Sequence, residues 1–387
     1  MRLAQKMSRL GTETAFEVLA RAKQLEKEGK EIIHLEIGEP DFDTPRNITE
    51  AAIKALKEGY THYTPSAGLP EVREVIAKYI SDTRKIKVDP DEVVVTPGAK
   101  PIMFFSILAL VNEGDEVIYP NPGFPIYESV IDFIGGKSVP IKLREENQFR
   151  LDLDELKKLV TPKTKMIIIN SPQNPTGGIL TLEDLKAIAE IAIKNDIYVL
   201  SDEIYSRIIY EGEHHSIASL PDMKERTIIL DGLSKTYAMT GWRVGYGVMN
   251  KTLAPHIARL MTNSNSCTAS FTQRALIEAL TGPQDEPQKM DAEFKKRRDV
   301  IVKGLNEIPR FSCLLPKGAF YVFPNVKKTG WESKKLADTL LNEAGVAVLS
   351  GTSFGKYGEG YLRISYANSV ENINKGLERM KEFLAKL

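Results

Sequence analysis

Residues 228–243 have the sequence IILDGLSKTYAMTGWR and hold the strongest structural signal in the chain. The apolar residues 228–230 predict a buried strand, and a loop with few other charges follows directly. That loop contains Lys235, with Ser234 before it and Arg243 at its end. A lysine in a pocket at a strand end loses its proton more easily and becomes a nucleophile, while a hydroxyl and a guanidinium suit an anion. The plain alternative is a structural loop with a solvated lysine.

Similar apolar runs alternate with longer helical patterns along the middle of the chain. The predicted strands are 93–96, 117–119, 166–169, 197–200, 228–230 and 244–248, and the helices between them include 100–111, 125–134 and 182–195. In the last helix the apolar residues Leu185, Ile188, Ala189 and Ala192 recur at helical spacing. This alternation predicts an α/β fold, with a mostly parallel sheet between helices.

The C-terminal part has a different pattern. A long charged helix predicted over 291–306 precedes short strands at 319–323, 346–349 and 361–366. We therefore predict a large domain over residues 41–284 and a smaller α+β domain over 285–387. The N-terminal residues 1–40, with a helix expected over 14–28, are predicted to join the small domain.

Composition excludes several classes of protein. The 387 residues contain 52 Lys and Arg against 52 Asp and Glu, so no basic surplus exists for nucleic acid. The longest apolar run, 103–111, falls short of the roughly 20 residues that a membrane span needs. Residues 1–9 lack the apolar block of a secretory signal, and only Cys267 and Cys313 could form disulfides. We expect a cytoplasmic protein, most simply an enzyme.

Several common motifs are missing from the sequence. It has no P-loop, no G-x-G-x-x-G after a strand, no H-E-x-x-H and no C-x-x-C. Nucleotide binding by a glycine-rich loop and zinc chemistry are therefore not expected, and no metal ligand is predicted.

Functional side chains instead follow four predicted strands. Asp202 comes after the strand 197–200, Asn174 after 166–169, and the segment 96–100, TPGAK, opens a helix after 93–96. Ligands of α/β sheets bind at this edge, and helix N-termini bind phosphate. Together with Lys235 these residues offer an anion cradle, an amide, a carboxylate and an amine. Pyridoxal 5'-phosphate needs such groups for its phosphate, its pyridine nitrogen and its aldehyde.

With these motifs in order, the chain resembles the class I/II aminotransferases, which have fold type I among pyridoxal-phosphate enzymes. The resemblance runs from GEPDF at 38–42 to LRIS at 362–365, and the stretch 234–243 is its most specific part. Bacterial and archaeal aspartate aminotransferases look most similar. The family implies transfer of an amino group between an amino acid and a 2-oxo acid by a ping-pong reaction.

The resemblance also implies roles for single residues. Lys235 bonds to the cofactor's aldehyde and later moves a proton, while Asp202 pairs with the ring nitrogen. Tyr205 and Asn174 reach the phenolic oxygen of the ring, and Phe124 stacks on the ring. Alternatives without a ligand are a helix N-cap for Asp202 and core packing for Tyr205 and Phe124.

The remaining implied contacts concern the phosphate and the substrate. The phosphate ligands are Gly98, Ala99, Lys100, Ser234 and Arg243, together with Tyr63 from the neighbouring subunit of a homodimer. Arg363 binds the substrate α-carboxylate through a bidentate fork, supported by Gly38 and Asn174, unless it is only a surface charge at a strand end.

Lys100 matches a lysine that meets a distal carboxylate in some aspartate aminotransferases, so aspartate with 2-oxoglutarate is the first choice of substrates. Two features oppose it: residues 263–270 contain no arginine, and the carboxylate of Glu13 repels acidic side chains. Alanine, aromatic amino acids and prephenate remain open as alternative substrates. A C–S lyase of the same fold is a further alternative, and a non-catalytic regulator that binds the cofactor is the alternative from another class.

Overall fold

Seven strands form the central sheet in the computed structural model, which describes residues 2–386. All strands of the described chain are β1 Ile33–His34, β2 Val93–Thr96, β3 Glu116–Asn121, β4 Lys137–Lys142, β5 Thr164–Asn170, β6 Tyr198–Asp202, β7 Thr227–Gly232, β8 Gly245–Val248, β9 Tyr321–Val322, β10 Val346–Ala347, β11 Leu349–Ser350 and β12 Leu362–Ser365. The central sheet has the order β2-β8-β7-β6-β5-β3-β4.

Twelve α-helices accompany these strands within residues 2–386. They are α1 Thr14–Lys27, α2 Arg46–Lys57, α3 Pro70–Arg84, α4 Lys100–Leu110, α5 Ile126–Phe133, α6 Leu153–Leu159, α7 Leu182–Lys194, α8 Ala254–Ser264, α9 Ser270–Thr281, α10 Asp285–Asn306, α11 Ser333–Thr339 and α12 Val370–Leu384. Among them, α7 begins with a capping box, in which Thr181 and Asp184 bond each other's backbone amides.

The central sheet confirms the predicted α/β fold with a mostly parallel sheet. Strands β7, β6, β5, β3 and β4 run parallel, and only β8 runs antiparallel, to both β2 and β7. The apolar residues of β5 and β6 are buried because helices cover both faces of the sheet. The carboxyl ends of β5, β6 and β7 consequently meet at one edge.

Some elements differ from the sequence prediction. The prediction omitted β4, which contains Pro140 and two lysines and lies at the sheet edge, where proline and polar residues are tolerated. The run 346–349 forms two strands, because β10 pairs with β1 while β11 pairs with β12. Helix α10 begins at Asp285 instead of 291, with Pro287 in its first turn, where proline is accepted.

The C-terminal part contains a smaller antiparallel sheet of order β11-β12-β9. Strand β1 from the N-terminal segment pairs in parallel with β10, and Ala22 of α1 packs beside Ala347. The N-terminal segment therefore contacts the C-terminal part, while the domain boundaries at residues 40 and 284 remain predictions. Over residues 2–386, no helix is long and apolar enough to cross a membrane.

Candidate active site

A cavity of about 540 Å³ opens at the carboxyl edge of the central sheet. Its wall contains eleven of the thirteen predicted site residues: Gly38, Ala99, Lys100, Phe124, Asn174, Asp202, Tyr205, Ser234, Lys235, Arg243 and Arg363. Gly98 lies directly behind the wall, against the guanidinium of Arg243. Tyr63 does not border the cavity, and 88% of its surface is exposed.

Lys235 projects into this cavity from the loop after β7. Its Nζ donates a hydrogen bond to the carbonyl oxygen of Gly38 at 2.6 Å. Burial lowers the pKa of Lys235 to about 8, although the nearby carboxylate of Glu39 opposes this effect. An amine with this pKa is neutral in a useful fraction of molecules near neutral pH, as a nucleophile or a base requires.

Asp202 ends β6 and is 8% exposed. Its Oδ2 accepts a hydrogen bond from the hydroxyl of Tyr127 at 2.6 Å, and its Oδ1 accepts one from the amide of Ile204 at 3.3 Å. Burial raises the pKa of Asp202 to about 6, and the carboxylates of Asp231 and Glu203 add to the increase. Because the chain after Asp202 forms turns instead of a helix, the N-cap alternative is wrong.

An anion cradle lies between α4 and the loop after β7. Gly98 has a φ of +84°, and a Cβ at this position would collide with the guanidinium of Arg243. Helix α4 begins two residues later, so its first amides point towards the same space. The Arg243 Nη1 donates to the carbonyl of Thr240 at 2.6 Å, which fixes the guanidinium there. Amides, a guanidinium and the Ser234 hydroxyl suit a phosphate group.

Arg363 lies across the cavity on β12 and is 4% exposed, so it is not a surface charge. Its guanidinium lies 4.6 Å from the ring centroid of Tyr321 and 4.9 Å from that of Phe354. It donates hydrogen bonds to the Glu36 carbonyl and, at 3.4 Å, to the Asn174 side-chain oxygen. The Nε of Arg363 is buried without a partner, so the guanidinium keeps capacity for a carboxylate ligand.

The sequence model of the family described as aminotransferase class I and II matches residues 30–380. The chain belongs to this family. The aspartate aminotransferase of Pyrococcus abyssi is 45% identical over 359 residues, which cover 92% of this chain and 92% of that protein. The aromatic-amino-acid aminotransferase 2 of Thermococcus litoralis is 42% identical over 357 residues, covering 91% of this chain and 92% of that protein.

The fold agrees with solved structures of the family. The aspartate aminotransferase from Thermus thermophilus with maleate has a TM-score of 0.95 to this aminotransferase at 36% identity. The match covers 99% of this chain and 100% of that one. The similarity supports fold type I, as the sequence predicted.

Enzymes of this family depend on pyridoxal phosphate, and so does this aminotransferase. The cavity fits that cofactor, because its charges complement the cofactor's groups at three places. The cradle at Gly98 and Arg243 suits the phosphate, buried Asp202 suits a cationic ring nitrogen, and Lys235 suits the aldehyde. The unpartnered Nε of Arg363 leaves a binding group for the amino-acid substrate.

Two tyrosines of this site were absent from the prediction. Tyr127 lies in the first turn of α5, three residues after Phe124, and the two ring centroids are 5.6 Å apart. Its hydroxyl bonds Asp202. Tyr321 belongs to a predicted strand, but no local pattern indicates that its side chain faces a cavity. The Asn174 side chain faces Arg363, and the Tyr205 hydroxyl contacts that of Tyr321 at 2.8 Å.

Proposed function

We propose that this aminotransferase takes its amino group from aspartate and passes it to 2-oxoglutarate. The proposal rests on a second cation in the substrate cavity: Lys100 borders the same cavity as Arg363 and already pairs with a carboxylate, that of Glu13. A dicarboxylic substrate needs two such cations. The names of the Pyrococcus abyssi and Thermus thermophilus relatives, and the maleate in the latter structure, also support a dicarboxylate.

Glu13 is an internal competitor for Lys100 in this proposal. It comes immediately before α1, and the Lys100 side chain is 46% exposed. The Glu13 side chain is 20% exposed, and ion pairs that solvent reaches contribute only about 0–1 kcal/mol, so a substrate carboxylate displaces Glu13 at little cost. The repulsion expected between Glu13 and acidic substrates is therefore relieved once Glu13 moves into solvent.

The chain's own groups have distinct tasks in the reaction. When bound, pyridoxal phosphate accepts the amino group, delocalises the electrons released at the substrate Cα and retains the amino group between the two halves of the ping-pong reaction. Arg363 orients the α-carboxylate, and Lys235 removes the proton from Cα because its lowered pKa, about 8, leaves a fraction of the amine neutral near neutral pH. Asp202 provides the buried counter-charge for the ring nitrogen, and Arg243 and Ser234 bind the phosphate.

Steady-state rates for a panel of amino donors with 2-oxoglutarate test the substrate. We expect aspartate to give the highest kcat/KM, and alanine and phenylalanine values at least about tenfold lower, since each lacks the second charged contact. Values for alanine or phenylalanine far above that for aspartate would contradict the proposal.

Aromatic amino acids are the second candidate. Phe16 is 62% exposed on the cavity wall, and a substrate without a second carboxylate leaves the Glu13–Lys100 pair intact. The Thermococcus litoralis relative is named for such substrates. Phenylalanine turnover that exceeds aspartate turnover would favour this candidate.

We further propose a cytoplasmic homodimer with shared sites. Tyr63 is exposed and does not border the cavity of its own subunit, so its predicted contact with the phosphate requires the cavity of a second subunit. Ile53 and Leu56 of α2 are also exposed and offer apolar surface for such a contact. Cys267 and Cys313 are free thiols, in keeping with a reducing compartment. Light scattering after gel filtration tests the dimer, and a monomer that remains fully active would contradict shared sites.

A further inference from the structure

Tyr321 lies between two groups to which the family motif gives different tasks. Its hydroxyl oxygen is 2.8 Å from that of Tyr205, and the Arg363 guanidinium lies 4.6 Å from its ring centroid. Tyr321 is 1% exposed, and Tyr205 is 3% exposed. One side chain thus contacts both the residue predicted to reach the cofactor's phenolic oxygen and the residue predicted to bind the substrate carboxylate.

Packing on several sides fixes the position of Tyr321. Strand β9 pairs with β12, so Tyr321 and Arg363 belong to adjacent strands of one sheet. Gly38 lies against the hydroxyl, and a Cβ at position 38 would collide with it. The Gly38 carbonyl in turn accepts the hydrogen bond from Lys235. Tyr321 is therefore surrounded by three residues of the proposed site, Gly38, Tyr205 and Arg363. The side chain therefore has little freedom to turn away.

We propose that Tyr321 is a positioning residue that directs the hydroxyl of Tyr205 and supports the guanidinium of Arg363. The inference rests on the proposed function of Tyr205, which is to donate a hydrogen bond to the cofactor's phenolic oxygen. A tyrosine hydroxyl has one proton to donate. When Tyr205 donates to the cofactor, the proton between the two hydroxyls comes from Tyr321, and each bond in such a chain strengthens the next.

Both hydroxyls keep their protons at neutral pH. Burial raises the pKa of Tyr205 well above its ordinary value and also raises the pKa of Tyr321. Asp202 and Arg363 face Tyr205, while Arg363 and Glu13 face Tyr321. The other charged groups on the cavity wall are Glu39, Lys100, Lys235 and Arg243. Those charges are the same in a tyrosine-to-phenylalanine variant, so a shift in titration reports the hydroxyl alone.

The Tyr321→Phe variant tests the hydroxyl, because it keeps the ring beside Arg363. The measurement is the pH midpoint of the visible absorbance change of the bound cofactor in the resting enzyme. We expect the midpoint to rise by roughly half a pKa unit, since a weaker donor at Tyr205 stabilises less negative charge on the phenolic oxygen. The dissociation constant for maleate is expected to change less than about twofold, because the ring remains.

The Tyr366→Phe variant is the matched control. Tyr366 is also fully buried beside the small sheet, and its hydroxyl donates to the carbonyl of Ala319 at 3.0 Å. It does not border the cavity. Loss of this hydroxyl is expected to leave the midpoint at the wild-type value, so an equal shift in both variants would contradict the inference.

The Tyr321→Leu variant tests the second contact. It removes the aromatic face below Arg363, and we expect the maleate dissociation constant to rise roughly tenfold, in the range of a buried cation–π contact. Unchanged maleate binding in Tyr321→Leu would overturn the supporting function for Arg363. Maleate binding is followed by calorimetry, which needs no turnover.

The Tyr205→Phe variant distinguishes a failure of this inference from a failure of the function proposed for Tyr205. If Tyr205→Phe leaves the midpoint unchanged, the proposed function of Tyr205 is wrong, and the inference fails with it. If Tyr205→Phe shifts the midpoint and Tyr321→Phe does not, only the inference is overturned. In the double variant we expect no shift beyond that of Tyr205→Phe, because Tyr321 acts through Tyr205, and additive shifts would contradict this coupling.

Discussion

Two walls of the cavity differ in how the chain builds them. The sheet wall comprises Asp202, which ends β6, together with Ser234, Lys235 and Arg243 of the loop between β7 and β8. The closing wall comprises Glu13, Gly38, Tyr321 and Arg363, which come from segments far apart in sequence. The sheet wall carries the groups that we assign to the cofactor, and the closing wall carries groups that we assign to the substrate. The residues proposed for the reaction itself are thus held by the central sheet. The residues proposed to select the substrate belong to separate segments, which substitutions can change without altering the sheet.

The largest expected effect comes from the sheet wall. Lys235→Ala removes the amine that transfers the proton, so kcat for amino transfer is expected to fall by at least about a thousandfold. Steady-state kinetics with aspartate and 2-oxoglutarate measure the loss. Lys251→Ala is the control, because Lys251 pairs with Asp89 at the surface and is expected to leave the rate unchanged. An active Lys235→Ala enzyme would refute the site.

On the closing wall, Arg363→Lys is expected to raise KM for both substrates roughly a hundredfold, with a smaller change in kcat. Lysine keeps the charge but loses the planar fork between Tyr321 and Phe354 that suits a carboxylate. Arg379→Lys, at an exposed pair with Glu31, is the matched control. A decrease in kcat without a change in KM would mean that Arg363 does not bind the carboxylate of the substrate in the ground state.

Asp202→Asn should separate stability from function within the sheet wall. Folding raises the pKa of Asp202 from 3.8 to about 6, so above pH 6 the folded protein contains a buried charge that destabilises it. This destabilisation decreases as the pH falls from 6 towards 4, because the folded protein then binds a proton that the unfolded chain does not. In cofactor-free protein at pH 7.5 the variant is therefore expected to gain up to about 3 kcal/mol in the free energy of unfolding.

Urea unfolding at pH 7.5 and pH 5 measures this difference. The difference in the free energy of unfolding between Asp202→Asn and wild type is expected to be smaller at pH 5, where Asp202 of the folded wild-type protein is mostly protonated. A gap of the same size at both pH values would show that charge burial is not its cause. The gain is expected to accompany weaker amino transfer, because asparagine provides no counter-charge for the ring nitrogen.

The smallest expected effect concerns Glu13 and Lys100. Glu13→Gln removes the internal competitor, so KM for aspartate is expected to fall a few-fold, while KM for phenylalanine stays nearly constant. Lys100→Met is the counterpart and is expected to raise KM for aspartate roughly tenfold. Equal changes in KM for both substrates in either variant would contradict selection of a dicarboxylate by Glu13 and Lys100.

The same two walls explain what the sequence could predict. Lys235, Asp202 and Arg243 follow strands whose apolar runs are visible in the sequence, so their meeting at one sheet edge was predictable. The contact of Tyr321 with Tyr205 and Arg363 was not, because it depends on how β9 and β12 pair and where that sheet lies. The edge strand β4 was missed for a related reason, since half-exposed strands lack a continuous apolar run.

The pairing of β1 with β10 has a consequence for synthesis of the chain. Ile33 leaves the ribosome early, yet its partner Val346 is made only after most of the chain. During translation at about 5–20 residues per second, the N-terminal segment with Gly38 must wait without its partner strand. The part of the site that we assign to the substrate is therefore completed last. A truncated chain that ends before β10 contains the seven strands of the central sheet but lacks Arg363.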